Sequence, residues 1–113
     1  MNLTITTTST GDAPVIRAEG RVDSSNAAEL EGAAMAALRE SEGGLVFDLG
    51  ALGYMSSAGL RVLLVALKAC KARGGRVGLA APQPNVLKVL EMSGFAKMFA
   101  LGDDVPEAAA ALR

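Results

Sequence analysis

Residues 45–64 read LVFDLGALGYMSSAGLRVLL, and this stretch places two serines between a buried strand and a helix. Residues 45–49 are almost continuously apolar, which is typical of a strand buried on both faces. The apolar positions after the serines recur at helical spacing, at Leu60, Leu63, Leu64 and Leu67. We therefore expect Ser56 and Ser57 at the N-cap or in the first helical turn. Unpaired amides and the positive end of the helix dipole could hold an anion or a covalent phosphate there.

Residues 48–60, DLGALGYMSSAGL, resemble the central motif of STAS domains, the family of anti-sigma factor antagonists. Weaker matches flank this motif in the family's order. Residues 20–23 are similar to the family's Gly-Glu-Leu-Asp turn, residues 74–82 to its fourth strand and residues 93–95 to the end of its third helix. The resemblance covers nearly the whole chain, from about Leu3 to Leu112, and implies one STAS domain over residues 1–113.

The resemblance also implies a phosphorylation site. In the family, a partner kinase phosphorylates the helix-opening Ser or Thr that precedes a small residue and a glycine. That position falls on Ser57, with Ser56 as the second candidate, because this chain has Ser56 where the family usually has Asp. The predicted partner-binding residues lie before and around it: they are Asp23, Ser24, Ser25, Met55, Ser56, Gly59 and Arg61.

Several of these residues also have ordinary structural interpretations. Residues 23–26, Asp-Ser-Ser-Asn, are four residues that could cap the first helix. Gly59 could admit a partner's backbone or allow tight packing against the sheet, since a helical glycine costs about 1 kcal/mol relative to alanine. Arg61 could steer an acidic partner or simply be solvated.

The partners implied by the resemblance are a serine kinase that is also an anti-sigma factor, with a histidine-kinase-type ATPase fold, and a PP2C-type phosphatase. The resemblance implies no cofactor and no enzymatic activity. An alternative is a STAS scaffold or transporter-associated subunit that never switches. A nucleophilic serine on a strand-to-helix turn is disfavoured, because the chain has no histidine to act as a base.

Composition narrows the function further. At 113 residues, of which 50% are hydrophobic, the chain suits one domain with a real core. Its 11 basic and 12 acidic residues leave a net charge of −1, which gives nucleic-acid binding no electrostatic support. Cys70 is the single cysteine, and we expect it to be buried and inert. The chain lacks a signal-peptide pattern and an apolar stretch long enough for a membrane, so we expect a cytoplasmic protein.

Hydrophobic periodicity predicts an α/β fold with a mixed, mostly parallel sheet of four to five strands and about four helices. The strands are predicted at residues 3–8, 15–22, 45–49, 76–81 and 98–101. The helices are predicted at residues 27–39, 57–73, 86–93 and 107–112. Residues 50–55 are predicted to form a loop at the carboxyl end of the central strand, where open α/β sheets place functional sites.

Overall fold

The computed structural model describes residues 2–11 and 13–112. Over these residues the chain forms six strands, four α-helices and one 3₁₀ turn, Ala96–Met98. In chain order the strands and α-helices are β1 Leu3–Thr10, β2 Ala13–Val22, α1 Ala27–Arg39, β3 Leu45–Asp48, β4 Leu52–Met55, α2 Ser57–Lys71, β5 Val77–Ala80, α3 Pro84–Ser93, β6 Ala100–Gly102 and α4 Val105–Ala110. The predicted α/β fold with a mixed sheet and four helices is confirmed.

The strands form one sheet in the order β1-β2-β3-β5-β6, with β4 also paired to β2. β1 runs antiparallel to β2, whereas the β2–β3, β2–β4, β3–β5 and β5–β6 pairs are parallel. The central position predicted for the strand at residues 45–49 is confirmed, because β3 lies between β2 and β5. The carboxyl ends of five strands therefore meet along one edge of the sheet.

The prediction of a loop over residues 50–55 is wrong in part, because Leu52–Met55 forms β4. β3 pairs with the first half of β2 and β4 pairs with its second half, from Gly20 to Val22. β3 and β4 are thus two successive segments alongside one long strand, separated by a short break. A four-residue strand with a glycine in it carries too little local pattern to be recognised from sequence.

Two hydrophobic clusters lie on opposite faces of the sheet. α1, α2 and α3 bury apolar side chains such as Leu30, Leu63 and Leu90 against one face. α4 covers the other face through a small cluster with Val15 and Val46. None of the helices in the described part of the chain is long and apolar enough to cross a membrane.

The predicted helix boundaries agree with the structure for α1 and differ slightly elsewhere. α2 ends at Lys71, two residues before its predicted end. α3 begins at Pro84 and ends before Gly94, whose φ of 84° allows the left-handed conformation that stops the helix. α4 begins two residues before its predicted start, because the Asp104 carboxylate accepts a hydrogen bond from the backbone N–H of Glu107.

Candidate functional site

The two serines at the start of α2 have different structural roles. Ser56 is the N-cap, and its hydroxyl accepts a hydrogen bond from the backbone N–H of Ala58 at 3.1 Å. Ser57 is the first helical residue and is exposed. Both serines therefore lie where the sequence predicted. The capping contact uses the Ser56 hydroxyl and leaves the Ser57 hydroxyl at the surface.

The amino end of α2 keeps hydrogen-bond donors beside Ser57. The first helical hydrogen bond runs from the backbone N–H of Leu60 to the carbonyl of Ser56 at 3.1 Å. The earlier amides have no helical acceptor, and among them the amide of Ala58 is satisfied by the Ser56 cap. The backbone N–H groups of Ser57 and Gly59 have neither a helical acceptor nor a capping acceptor. The first turn holds no acidic residue, so the positive end of the helix dipole is not neutralised there.

Asp23 begins a tight turn at the carboxyl end of β2. Its carboxylate accepts hydrogen bonds from the hydroxyl and from the backbone N–H of Ser25, the latter at 2.9 Å. These two donors hold the pKa of the Asp23 carboxyl below its ordinary value, and the hydroxyl has the larger effect. The carboxylate is therefore charged at neutral pH. Ser24 and Ser25 are exposed on the same turn.

Of the four residues that could cap α1, Asn26 occupies the N-cap position, so the interpretation of Asp23 as the cap is corrected. The Asn26 side chain does not cap the helix either. Its oxygen accepts a hydrogen bond from the backbone N–H of Asp23 at 3.0 Å, and its amide donates to the carbonyl of Arg21 at 3.0 Å. Asn26 therefore stabilises the Asp23 turn, a role that spacing alone did not reveal.

A backbone hydrogen bond joins the Asp23 turn to the serines. The N–H of Ser56 donates to the carbonyl of Val22 at 2.9 Å, which places the residue before Asp23 against the residue before Ser57. Arg61 is exposed four residues after Ser57, and positions four apart in a helix are neighbours on one face. The structure thus brings Asp23, Ser57 and Arg61 to the same edge of the sheet.

The structure corrects the prediction that Met55 and Gly59 lie on the partner-binding surface. Met55 is only 4% exposed and belongs to the hydrophobic core. A Cβ atom at Gly59 would lie 2.5 Å from Cγ of Met55 and 3.0 Å from Cγ1 of Val22. Of the two explanations for Gly59, tight packing against the sheet therefore fits the geometry. Both residues support the site from beneath.

Arg21 and Tyr54 form an exposed pair near the site that the sequence did not indicate. The Arg21 guanidinium lies 4.3 Å from the centre of the Tyr54 ring, within the range of a cation–π interaction. The two residues are cross-strand partners in β2 and β4. Recognising β4 as a strand was necessary to find this pair.

The described residues include no cluster of three or more side chains suited to bind a metal ion. Cys70 is buried, as predicted, and burial raises the pKa of its thiol. Neither feature adds a chemical group to the site. What the geometry offers is an exposed hydroxyl, free backbone donors and one charged turn.

Comparison with known proteins places this arrangement in a family. The family model described as the STAS domain matches residues 4–108. BtrV of Bordetella bronchiseptica, named as a candidate anti-sigma factor antagonist, is 40% identical over 95 residues, which are 84% of this chain and 82% of that protein. The resemblance predicted from the central motif is confirmed.

Solved structures agree with this placement. An anti-sigma factor antagonist from Mycobacterium paratuberculosis has a TM-score of 0.88 and 27% identity, covering 98% of this chain and 94% of the other. The anti-sigma factor antagonist SpoIIAA in its unphosphorylated form has a TM-score of 0.77 and 24% identity, covering 95% of this chain and 92% of the other. At the latter identity the likeness shows a shared fold.

Proposed function

This chain belongs to the STAS domain family, and we propose that it is an anti-sigma factor antagonist whose binding is controlled by phosphorylation of Ser57. The named relatives support the antagonist role. We choose Ser57 because the two serines at the start of α2 have different structural roles: Ser56 caps the helix, and Ser57 is exposed. A kinase could modify the Ser57 hydroxyl without removing the cap.

In this proposal the unmodified protein binds an anti-sigma factor through the Asp23–Ser25 turn, Ser57 and Arg61. Binding releases the sigma factor that the anti-sigma factor sequesters. The anti-sigma factor is also a serine kinase with a histidine-kinase-type ATPase fold, and it transfers phosphate from ATP to Ser57. A PP2C-type phosphatase reverses the modification. The exchange takes place in the cytoplasm, where transcription and ATP-dependent kinases operate, and the chain itself catalyses no reaction.

The effect of the phosphate follows from its charge and position. Phosphorylation adds about −1.5 to −2 charges at neutral pH. At the amino end of α2 those charges meet the helix dipole and the free first-turn amides, so the domain should stay folded. Arg61 can offset at most one of these charges, so the remainder would be buried at a docking face unless the partner supplies a cation. Burying such a charge costs several kcal/mol, and each 1.4 kcal/mol weakens binding about tenfold.

Two neighbouring charged groups strengthen this switch. The Asp23 carboxylate is ionised and carries the same sign as the phosphate, which raises the negative potential of the face. Arg61 lies one turn after Ser57 on the helix, where it can pair with the phosphate. A pairing of this kind would withdraw Arg61 from an acidic partner. Phosphorylation would then repel the partner and remove one of its contacts.

The first test compares unmodified protein and Ser57→Asp as baits in an extract of the source cells. We expect the substituted bait to keep its far-UV circular dichroism spectrum and to lose the anti-sigma factor. Ser9→Asp is the matched control, because Ser9 is an exposed serine at the opposite edge of the sheet. Equal capture of the anti-sigma factor by all three baits would favour the non-switching scaffold or transporter-associated subunit.

The second test identifies the modified residue. The recovered kinase and ATP should add the mass of one phosphate to the native chain and to Ser56→Ala, but not to Ser57→Ala. Fragment masses locate the phosphate on the chain. A phosphate on Ser56 would move the assignment to the second candidate, and an unmodified native chain would contradict the proposal.

A further inference from the structure

Among residues 2–11 and 13–112, no strand lies beside the outer edge of β4. β3 pairs with β5 from Leu45 to Asp48, but β5 ends at Ala80 and the chain then turns at Ala81, whose φ is 54°. β4 continues past this point and pairs with β2 alone. Its outward-facing backbone groups therefore need partners from outside the sheet.

Asn85, in the first turn of α3, supplies one such partner, and the N-cap residue Gln83 bonds to the break before β4. The amide of Asn85 donates to the carbonyl of Gly53 at 2.7 Å. The amide of Gln83 donates to the carbonyl of Gly50 at 3.0 Å. A side-chain amide N–H is chemically equivalent to a backbone N–H as a donor. The Asn85 side chain thus bonds where the backbone of a strand beside β4 would otherwise bond.

β4 leads directly into the serines. Its last residue, Met55, is buried beneath α2, and the next residue, Ser56, is bonded to Val22 on the β2 side. The segment is consequently held by β2 on one side and by α3 on the other. A shift of Gly53 toward or away from α3 would move the serines, because only two residues separate it from Ser56.

We infer that Asn85 and Gln83 are positioning residues for Ser57: by bonding to Gly53 and Gly50, they hold the segment that presents the phosphoacceptor. The inference rests on the proposed role of Ser57 in phosphate transfer. Asn85 is the principal residue, because its acceptor lies within β4 itself, whereas the acceptor of Gln83 lies in the break before it. α3 thereby contributes to the site through the segment that precedes the serines.

The amide proton of Ser56 is a direct reporter of this restraint. We expect its hydrogen exchange, measured by NMR, to accelerate about tenfold or more in Asn85→Ala through local opening of β4. Asn85→Asp has nearly the same shape but replaces the donor by an acceptor, so it should accelerate exchange further. Gln83→Ala should give a smaller increase. Lys88→Ala is the matched control, since Lys88 is exposed on the same helix, and it should change the rate less than twofold.

Exchange at Phe47 in β3 separates positioning from a general loss of stability. It should stay unchanged in Asn85→Ala, because β3 is held by β2 and β5. Unchanged exchange at Ser56 in the Asn85 variants would overturn the inference, and so would equal acceleration at Ser56 and Phe47. If Asn85→Ala does not fold, Gln83→Ala carries the same comparison.

Phosphate transfer gives the second readout. With the kinase recovered by the native bait, transfer at saturating kinase should fall about tenfold in Asn85→Ala, since a misplaced hydroxyl reacts slowly. Binding of the unmodified protein should fall much less than phosphate transfer, because the Asp23 turn and Arg61 are untouched and only the Ser57 contact is displaced. Loosened exchange with normal transfer would overturn the positioning role. Absence of phosphate transfer to the native chain would instead contradict the proposed function.

Discussion

Replacing a helical glycine by alanine should change the free energy of unfolding in opposite directions at Gly32 and at Gly59. Gly32 lies within α1 and is exposed, and a Cβ atom added there would meet no neighbour within 4 Å. Gly59 lies in the first turn of α2 and is buried against Met55 and Val22. Gly32→Ala and Gly59→Ala therefore differ in what surrounds the new methyl group, while both gain helix propensity.

At Gly32 only the helix propensity changes. Alanine is favoured over glycine in a helix interior by about 0.5–1 kcal/mol, largely because the unfolded chain loses freedom. Gly32→Ala should raise the free energy of unfolding by about this amount. For a domain of this size, the midpoint of thermal unfolding should rise by about 2–4 °C.

At Gly59 the same gain is outweighed by overpacking. The new methyl group would lie 2.5 Å from Cγ of Met55, closer than carbon atoms approach, and 3.0 Å from Cγ1 of Val22, tighter than most contacts between carbon atoms. Met55 can change rotamer, but Val22 is β-branched, buried and part of a strand. Overpacking of a core costs about 1–3 kcal/mol. The net result should be a loss of up to about 2.5 kcal/mol.

Urea unfolding followed by far-UV circular dichroism is the suitable assay, because the chain has no tryptophan and a single tyrosine. The denaturation midpoint should rise for Gly32→Ala and fall for Gly59→Ala, with an unchanged slope in both. Stabilisation by both substitutions would show that the site under α2 can accept a methyl group. The packing explanation for Gly59 would then be refuted.

Two further predictions concern the charged side chains of the domain. Arg73 donates hydrogen bonds to the carbonyls of Leu38 at 2.7 Å and Gly43 at 2.8 Å. Arg73→Ala should therefore lower the free energy of unfolding, measured with urea, by about 1–2 kcal/mol. Arg73→Lys should recover only part of this loss, and full recovery would show that the positive charge alone matters. The lowered pKa of Asp23 implies that its contribution to stability is present above the ordinary carboxyl pKa of about 3.9 and is lost as the pH falls through the lower folded value. The difference in melting temperature between the native protein and Asp23→Asn should therefore narrow on acidification, and a constant difference would contradict the turn geometry.

Patterns within short windows were sufficient for much of the fold. The bounds of α1 were predicted correctly, and the central strand and the start of α2 were placed because hydrophobic periodicity depends on residues near one another in the chain. The position of Ser57 at a helix terminus followed from the same reasoning, whereas its exposure is a finding of the structure. The phosphoacceptor role itself came from the family resemblance, and it stays a proposal.

Contacts between distant segments account for what was missed. β4 exists as a strand because β2 pairs with one edge and Asn85 bonds to the other, and its partners lie about thirty residues away in either direction. Because of those pairings, the Met55 side chain lies in the hydrophobic core, and Met55 and Val22 fill the space beside Gly59. No short stretch of sequence contains β2, β4 and the start of α3 together. Candidate residues for the site could therefore be proposed from the sequence, whereas which of them face solvent and which are buried beneath the surface depended on long-range packing.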